Sequence, residues 1–173
     1  MKTRDNLQEQ LAHIDNSDED VEEQEQEVNR LLEKANKQAQ ALTVIRLKAA
    51  KKVEEEMKQR LIPLGIPNVR FSISLTEKPL CHDGADKVSF LFSANKSTPL
   101  QPVTQVASGG EIARVMLSLK AMISGAVKLP TIIFDEIDTG VSGKIAEKMA
   151  NIMAEMGNHE RQVLSITHLP QIA

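Results

Sequence analysis

The first 62 residues of the chain contain neither proline nor glycine, so nothing in them interrupts a helix. Stepping by sevens from Leu7 meets Ile14, Val21, Val28, Ala35, Leu42 and Ala49 before failing at Glu56. This is a heptad seam, and its length without internal caps predicts a coiled-coil helix rather than a helix laid along a globular body. The companion positions four residues on are Leu11, Asp18, Glu25, Leu32, Ala39, Arg46, Val53 and Arg60, so charge interrupts the seam. Ala35, Ala39 and Ala49 permit close helix approach, whereas Asp18 and Glu25 predict a frayed or bent zone. Asp15 to Glu27 holds eight acids and no base, and Val28 to Arg60 holds nine bases against four acids. This polarity fits a solvated helix face; a basic strip that meets DNA phosphate is the sharper reading.

Pro63, Gly65 and Pro67 end the helix, because proline lacks the donor a helix interior needs and glycine tolerates a left-handed exit. A boundary therefore falls between an arm, residues 1–61, and a second region, 62–173. Val69, Phe71, Ile73 and Leu75 alternate with polar neighbours, as do Val88, Phe90 and Phe92, which predicts two antiparallel strands around a turn containing Asp83 and Gly84. Ser93 to Thr104, with Pro99 and Pro102, reads as a loop. Beyond Ser108 the pattern changes to helix, strand, helix, strand. Ile112, Val115, Met116, Leu119, Met122, Ile123 and Ala126 recur at helical spacing, Thr131 to Phe134 forms a short buried strand, and Ile145, Met149, Ile152, Met153 and Met156 mark a second helix before the strand Val163 to Thr167. The fold class is α/β with parallel crossovers, and the methionines are read as core.

Only four phenylalanines, and neither tryptophan nor tyrosine, occur among 173 residues. Aliphatic side chains must therefore supply the core, and stacking of bases on aromatics is excluded as a principal activity. The single cysteine, Cys81, rules out an intramolecular disulfide and is read as a small apolar residue in a reducing, cytoplasmic setting. No apolar run approaches the roughly 20 residues that span a bilayer, so no membrane role is expected. His13, His82 and His159 have no partners at ligand spacing and are read as surface residues; no zinc pattern is present.

Chemistry concentrates in three short segments. Thr131 to Phe134 runs directly into Asp135-Glu136, and the last strand runs into His168; in parallel α/β sheets ligands bind outside the carboxyl ends of the strands. An apolar strand closing in Asp-Glu suits Mg²⁺ binding by the first acid and water orientation by the second, although acids also cap ordinary strand-to-helix turns. Ser108-Gly109-Gly110-Glu111 opens a helix with a hydroxyl, two glycines and free N–H groups, which suits an anion. The same four residues would equally serve as a plain N-cap with a capping box.

The order of these segments distinguishes the readings. A Ser-Gly-Gly-Glu helix, a strand ending in Asp-Glu and a strand ending in His within about sixty residues resembles the signature motif, Walker B element and switch histidine of ABC-type ATPases. Ala107 to Arg114 (ASGGEIAR), Phe134 to Gly143 (FDEIDTGVSG) and Thr167 to Ala173 (THLPQIA) resemble more specifically the RecN family of SMC-like DNA-repair proteins. The resemblance is close over residues 62–173 and only general over the arm. It implies the C-terminal lobe of an ABC ATPase head, of P-loop NTPase fold, preceded by a returning coiled-coil helix. It further implies that Ser108, Gly109, Gly110 and Glu111 meet the γ-phosphate of ATP held by an opposing head of a homodimer. Asp135 would serve Mg²⁺ through water, Glu136 would position the attacking water and His168 would sense the γ-phosphate. Thr139 to Ser142 would form the loop facing the partner head. Ser142 stands where many ABC proteins carry aspartate, and Ile112-Ala113 replaces a common Leu-Ser pair.

No G-x-x-x-x-G-K-[ST] phosphate loop occurs in the chain. Gly140 to Lys144 imitates one, but its glycines are one residue too close and Ile145 replaces the hydroxyl that would bind Mg²⁺. The resemblance therefore implies that the chain is the returning arm with the C-terminal lobe, also cut shortly after His168, and that alone it is inactive. The intact protein would act on DNA, associated with the nucleoid, and its arm would pair with a helix absent here. Three other readings stay open at this stage: another coiled-coil ABC chromosome-maintenance ATPase, a topoisomerase-primase type nuclease holding metal on Asp135, Glu136 and Asp138, and a purely structural coiled-coil adaptor.

Overall fold

The computed structural model describes residues 2–106, 108–125, 129–141, 143–157 and 161–173; within residues 2–19 it describes the backbone and, of the side chains, only that of Arg4. Helix α1 (Lys2–Leu61) is followed by β1 (Arg70–Cys81), β2 (Gly84–Ser93), β3 (Gln101–Pro102), a 3-10 turn (Val103–Gln105), α2 (Gly109–Ser124), β4 (Thr131–Asp135), α3 (Lys144–Gly157) and β5 (Gln162–Ile166). The chain forms two compact units, Met1–Arg46 with Glu77–Asp86, and Leu47–Thr76 with Lys87–Ala173. No described helix is long and apolar enough to cross a membrane.

In the first unit, α1 runs without a helical break through the acidic stretch around Asp18 and Glu25. The side chains of Leu7, Leu11, His13, Ile14 and Asp18 lie outside the described residues. Val21, Val28 and Leu32 are exposed, whereas Ala39 is buried and Leu42 is half-buried. The hairpin tip makes the difference. Gly84 has a φ of +102°, and a Cβ there would lie 3.1 Å from Leu42 Cδ2 and 3.2 Å from an Arg46 nitrogen, so only glycine lets the turn lie against this helix face. Thr43 Oγ1 lies 2.9 and 2.8 Å from the two Asp86 carboxylate oxygens. Arg46 donates to Asp86 at 3.0 Å and to the carbonyl of Asp83 at 2.7 Å. Arg46, read in the sequence as a flaw in the heptad, is thus the anchor of the hairpin, and its charge is answered by a carboxylate only 8% exposed.

In the second unit the end of α1 is a glycine-terminated cap. The N–H of Ile66 bonds the carbonyl of Leu61 and that of Gly65 bonds Ile62, with Gly65 at φ +83°. This pair of bonds satisfies the carbonyls of Leu61 and Ile62, and the accompanying contact joins Leu61 and Ile66, both buried. Val53, Met57 and Leu61 then pack against Phe71, Phe92 and the Val115 face of α2. Leu117 and Ala121, on another face of α2, belong to a second core with Ile132, Phe134, Met149, Met153 and Met156. Helix α2 is therefore buried on two sides, and the methionines of α3 are core, as their spacing predicts.

The sheet order β1-β2-β3 places the two predicted strands side by side, each longer than its alternating segment. Part of the expected loop pairs as β3, with Leu91 opposite Pro102 and Phe92 opposite Gln101. The pairing escaped the sequence because it is two residues long and contains a proline, which only an edge strand accommodates. Cys81 is exposed at the turn, its Sγ 2.8 Å from Asp83 Oδ1, and is not the apolar residue it was expected to be. Strands β4 and β5 pair in parallel from Thr131 opposite Gln162 to Asp135 opposite Ile166, with α3 as the crossover. One face of this pair is bare: Ile132 and Phe134 are buried, whereas Ile133, Leu164 and Ile166 are 57%, 44% and 55% exposed. The strand expected to be buried is thus covered on one side only.

Replacing Asp86 by alanine is expected to destabilise the hairpin by about 1–3 kcal/mol, because it removes the buried carboxylate that accepts from both Thr43 and Arg46. Amide hydrogen exchange across 77–86 should accelerate in the variant, and unchanged protection there would show that the contact holds nothing.

Candidate functional site

The parallel register brings the carboxyl ends of β4 and β5 level, so Asp135 sits opposite Ile166 and the residues after each strand emerge together. Asp135 is exposed. Glu136 turns the chain away from the strand with φ +47°, the only described non-glycine residue with positive φ. Its N–H donates to the Ile166 carbonyl at 2.9 Å, and its own carbonyl accepts from Thr139 Oγ1 at 2.9 Å. The left-handed conformation is thereby held from both sides of the residue. The Glu136 carboxylate then lies 3.3 Å from His168 Nε2, both side chains being mostly exposed.

Beneath this exposed pair lies a buried contact that sequence reasoning missed. Asp138 is 7% exposed and accepts from Thr167 Oγ1 at 2.5 Å. The N–H of Leu169 in turn donates to Thr167 Oγ1 at 3.0 Å. The Thr167 hydroxyl, and then the backbone N–H groups of Asp138, His168 and Leu169, hold the Asp138 carboxyl below the ordinary carboxylate range despite burial. The stability this contributes is complete above the unfolded value of about 3.9 and is lost as the pH falls through the lower folded value. Asp138 is committed inward. Asp135, Glu136 and Asp138 do not gather their oxygens at one point; among the described residues only Cys81, His82 and Asp83 bring three ligand atoms within 4.8 Å. There Asp83 is already engaged by Lys78 at 2.7 Å.

The start of α2 is the second component. Ser108 caps the helix with extended backbone, its Oγ accepting a long 3.4 Å bond from the N–H of Glu111, so the capping role read from the sequence is realised. Gly110 approaches the turn after β4 so closely that a Cβ would lie 2.6 Å from the carbonyl oxygen of Thr139. The structure therefore joins the Ser108-Gly-Gly segment to the Asp-Glu turn through backbone contact. Gly109 differs. It is exposed, its φ is not positive, and a Cβ there would meet nothing within 4 Å. Nothing among the described residues requires glycine at this position. Ala107 and Ser142 lie outside the described residues, as does His159. The Asp138 to Thr167 link had only a faint sequence signal, an acid two residues after Glu136 and a hydroxyl just before His168.

No family model matches the chain. Curated relatives do. The DNA repair protein RecN of Halalkalibacterium halodurans is 36% identical over 172 residues, covering 96% of this chain and 30% of the relative. RecN of Vibrio cholerae is 36% identical with the same coverage, and RecN of Synechocystis is 43% identical over 76% of this chain and 23% of the relative. Among solved structures, an Smc head domain with a coiled coil and joint from Pyrococcus yayanosii superimposes with a TM-score of 0.56 at 20% identity, over 74% of this chain and 23% of that one. The Smc head bound to the C-winged helix domain of ScpA gives 0.54 at 20% identity, over 73% and 37%. These structures establish the fold, that of part of an Smc head domain. The sequence relationship, which extends along nearly the whole chain, places this chain, which spans about 30% of the length of the first two relatives, in the RecN family of DNA repair proteins.

Proposed function

We propose that the chain contributes the signature segment and the hydrolytic carboxylate of an ATPase head, in a protein that uses ATP turnover to act on DNA double-strand breaks. The observation that carries this reading is the meeting of the Glu136 carboxylate and His168 at 3.3 Å, at the carboxyl ends of two parallel strands. A carboxylate held by backbone on both sides, with an imidazole beside it, suits orientation of a water and contact with a terminal phosphate. Asp135, exposed at the end of β4, fits a Mg²⁺ ligand acting through water; the ion would neutralise phosphate charge. The buried, committed carboxylate of Asp138 argues against a three-acid nuclease centre.

Residues 1–61 are read as the returning arm and 62–173 as the C-terminal part of the head. Parallel sheets are ordinarily covered on both faces, and the bare Ile133, Leu164 and Ile166 face fits coverage by the remaining lobe, which would bring the phosphate loop. Gly109 supports the sharing of ATP between two heads. Among the described residues nothing would meet a side chain at 109, so glycine there fits close approach from outside the chain. Ser108, Gly109, Gly110 and Glu111 would then meet ATP bound on the opposing head of a homodimer, with Thr139 and Ser142 in the loop facing that head. The exposed Val21, Val28 and Leu32 fit a coiled-coil partner helix.

Three outcomes are expected. The chain by itself, lacking a phosphate loop, should show no micromolar ATP affinity in calorimetry; such affinity would contradict the division into lobes. In the intact protein Glu136→Gln should retain ATP binding and lower turnover at least about 100-fold, and unchanged steady-state hydrolysis would remove Glu136 from the mechanism. Ser108→Arg should spare ATP binding but block head dimerisation and hydrolysis. Mixed with a variant lacking the phosphate-loop lysine, it should recover one working composite site. Demonstrated heterodimers without recovered activity would place Ser108 in the service of its own chain or of none.

A further inference from the structure

We propose that Asp138 is a positioning residue for hydrolysis, clamping the segment after β5 so that His168 is presented to Glu136. The inference rests on reading Glu136 and His168 as the hydrolytic pair, and adds to it the element that sets their geometry. His168 is 84% exposed. Among the described residues its ring makes one polar contact, with the Glu136 carboxylate, so its position is set by its own backbone, and that backbone is tied to Asp138 through the neighbouring Thr167. The carboxylate receives the Thr167 hydroxyl at 2.5 Å. Thr167 also accepts from the N–H of Leu169 at 3.0 Å, so one hydroxyl links the buried acid to the backbone on the far side of His168.

The other end of the clamp is equally fixed. Asp138 belongs to the same tight turn as Glu136, where the Val141 N–H bonds the Asp138 carbonyl at 3.1 Å and Thr139 Oγ1 bonds the Glu136 carbonyl at 2.9 Å. One side chain therefore ties the turn that carries the carboxylate to the segment that carries the imidazole. A neutral amide is a weaker replacement: asparagine keeps one acceptor oxygen but lacks the charge that strengthens the bond from the Thr167 hydroxyl. Buried charge-assisted bonds of this kind carry geometric precision, and misplacing a reacting group by an ångström lowers rates by about 100-fold.

The test uses the intact protein. Asp138→Asn and Thr167→Val should each lower kcat by about 10- to 100-fold while KM for ATP changes little, and Thr167→Ser, which keeps the hydroxyl, should restore most of the rate. Without nucleotide, amide exchange at His168 and Leu169 should accelerate in Asp138→Asn, with the thermal midpoint read alongside. If Asp138→Asn does not fold, Thr167→Val carries the test. The decisive measurement combines Asp138→Asn with His168→Ala: a residue acting through His168 adds no further loss to that of His168→Ala alone. Losses that multiply in the double variant, or unchanged kcat in both Asp138→Asn and Thr167→Val, would overturn the proposal. Where His168→Ala impairs turnover and Asp138→Asn does not, this inference fails and the hydrolytic reading stands. Should His168→Ala leave turnover intact, both fall.

Discussion

Five residue pairs of parallel strand position every candidate catalytic group in the chain. Because Asp135 pairs with Ile166, the turn after β4 and the segment after β5 leave the sheet at one level. A slip of one residue in this register would exchange the buried Ile132 and Phe134 for the exposed Ile133, and would move His168 along the strand away from Glu136. Burial and chemistry therefore select the same register. The crossover helix enforces it, since Met149, Met153 and Met156 fill the space beneath the strands only when Ile132 and Phe134 point toward them. Hydrogen bonds from the strand ends complete the arrangement, with the Glu136 N–H on the Ile166 carbonyl extending the ladder one step beyond the last strand residue.

Helix α2 links this sheet to the rest of the second unit. Its Val115 and Leu117 are both fully buried, but in different cores. A helix confined on two sides has little freedom to rotate or slide, and its first turn is additionally stopped by the Thr139 carbonyl against Gly110. The glycine-ended turn after α1 feeds both cores as well, with Leu64 in one and Ile66 in the other. Arg114 of α2 donates to the Leu64 carbonyl at 3.3 Å, which ties the helix to that turn. The site is thus built on packed elements, and only its functional side chains reach solvent.

What the sequence revealed about this molecule follows the range of the interactions concerned. The long helix, its stop at Pro63 and Gly65, the two alternating strands and the helical stripes of α2 and α3 depend on local periodicity and were readable. The grouping of Asp135, Glu136 and His168 followed from strand ends and motif order. Contacts between distant segments were not readable. Arg46 looked like a defect because its acceptor, Asp86, lies forty positions away. Asp138 could be read as a third acid of a metal cluster because nothing local says that a carboxylate is buried, and its partner Thr167 comes from the segment after β5. The bare face of β4 and β5 was invisible for a related reason: an apolar run shows that a strand can be covered, not how many neighbours cover it.

The left-handed backbone at Glu136 has a consequence for how such a sequence can change over time. At φ +47° glycine or asparagine would relieve a local strain of order 1 kcal/mol, so any selection acting on stability alone pulls position 136 away from glutamate. On the proposed reading of Glu136 as the hydrolytic carboxylate, activity pulls the other way. The residue is a point of conflict between two pressures, and a library of variants sorted only for heat resistance should drift toward inactive proteins by first replacing this side chain. Glutamate at a position whose conformation disfavours it is, in that sense, a record of selection for chemistry.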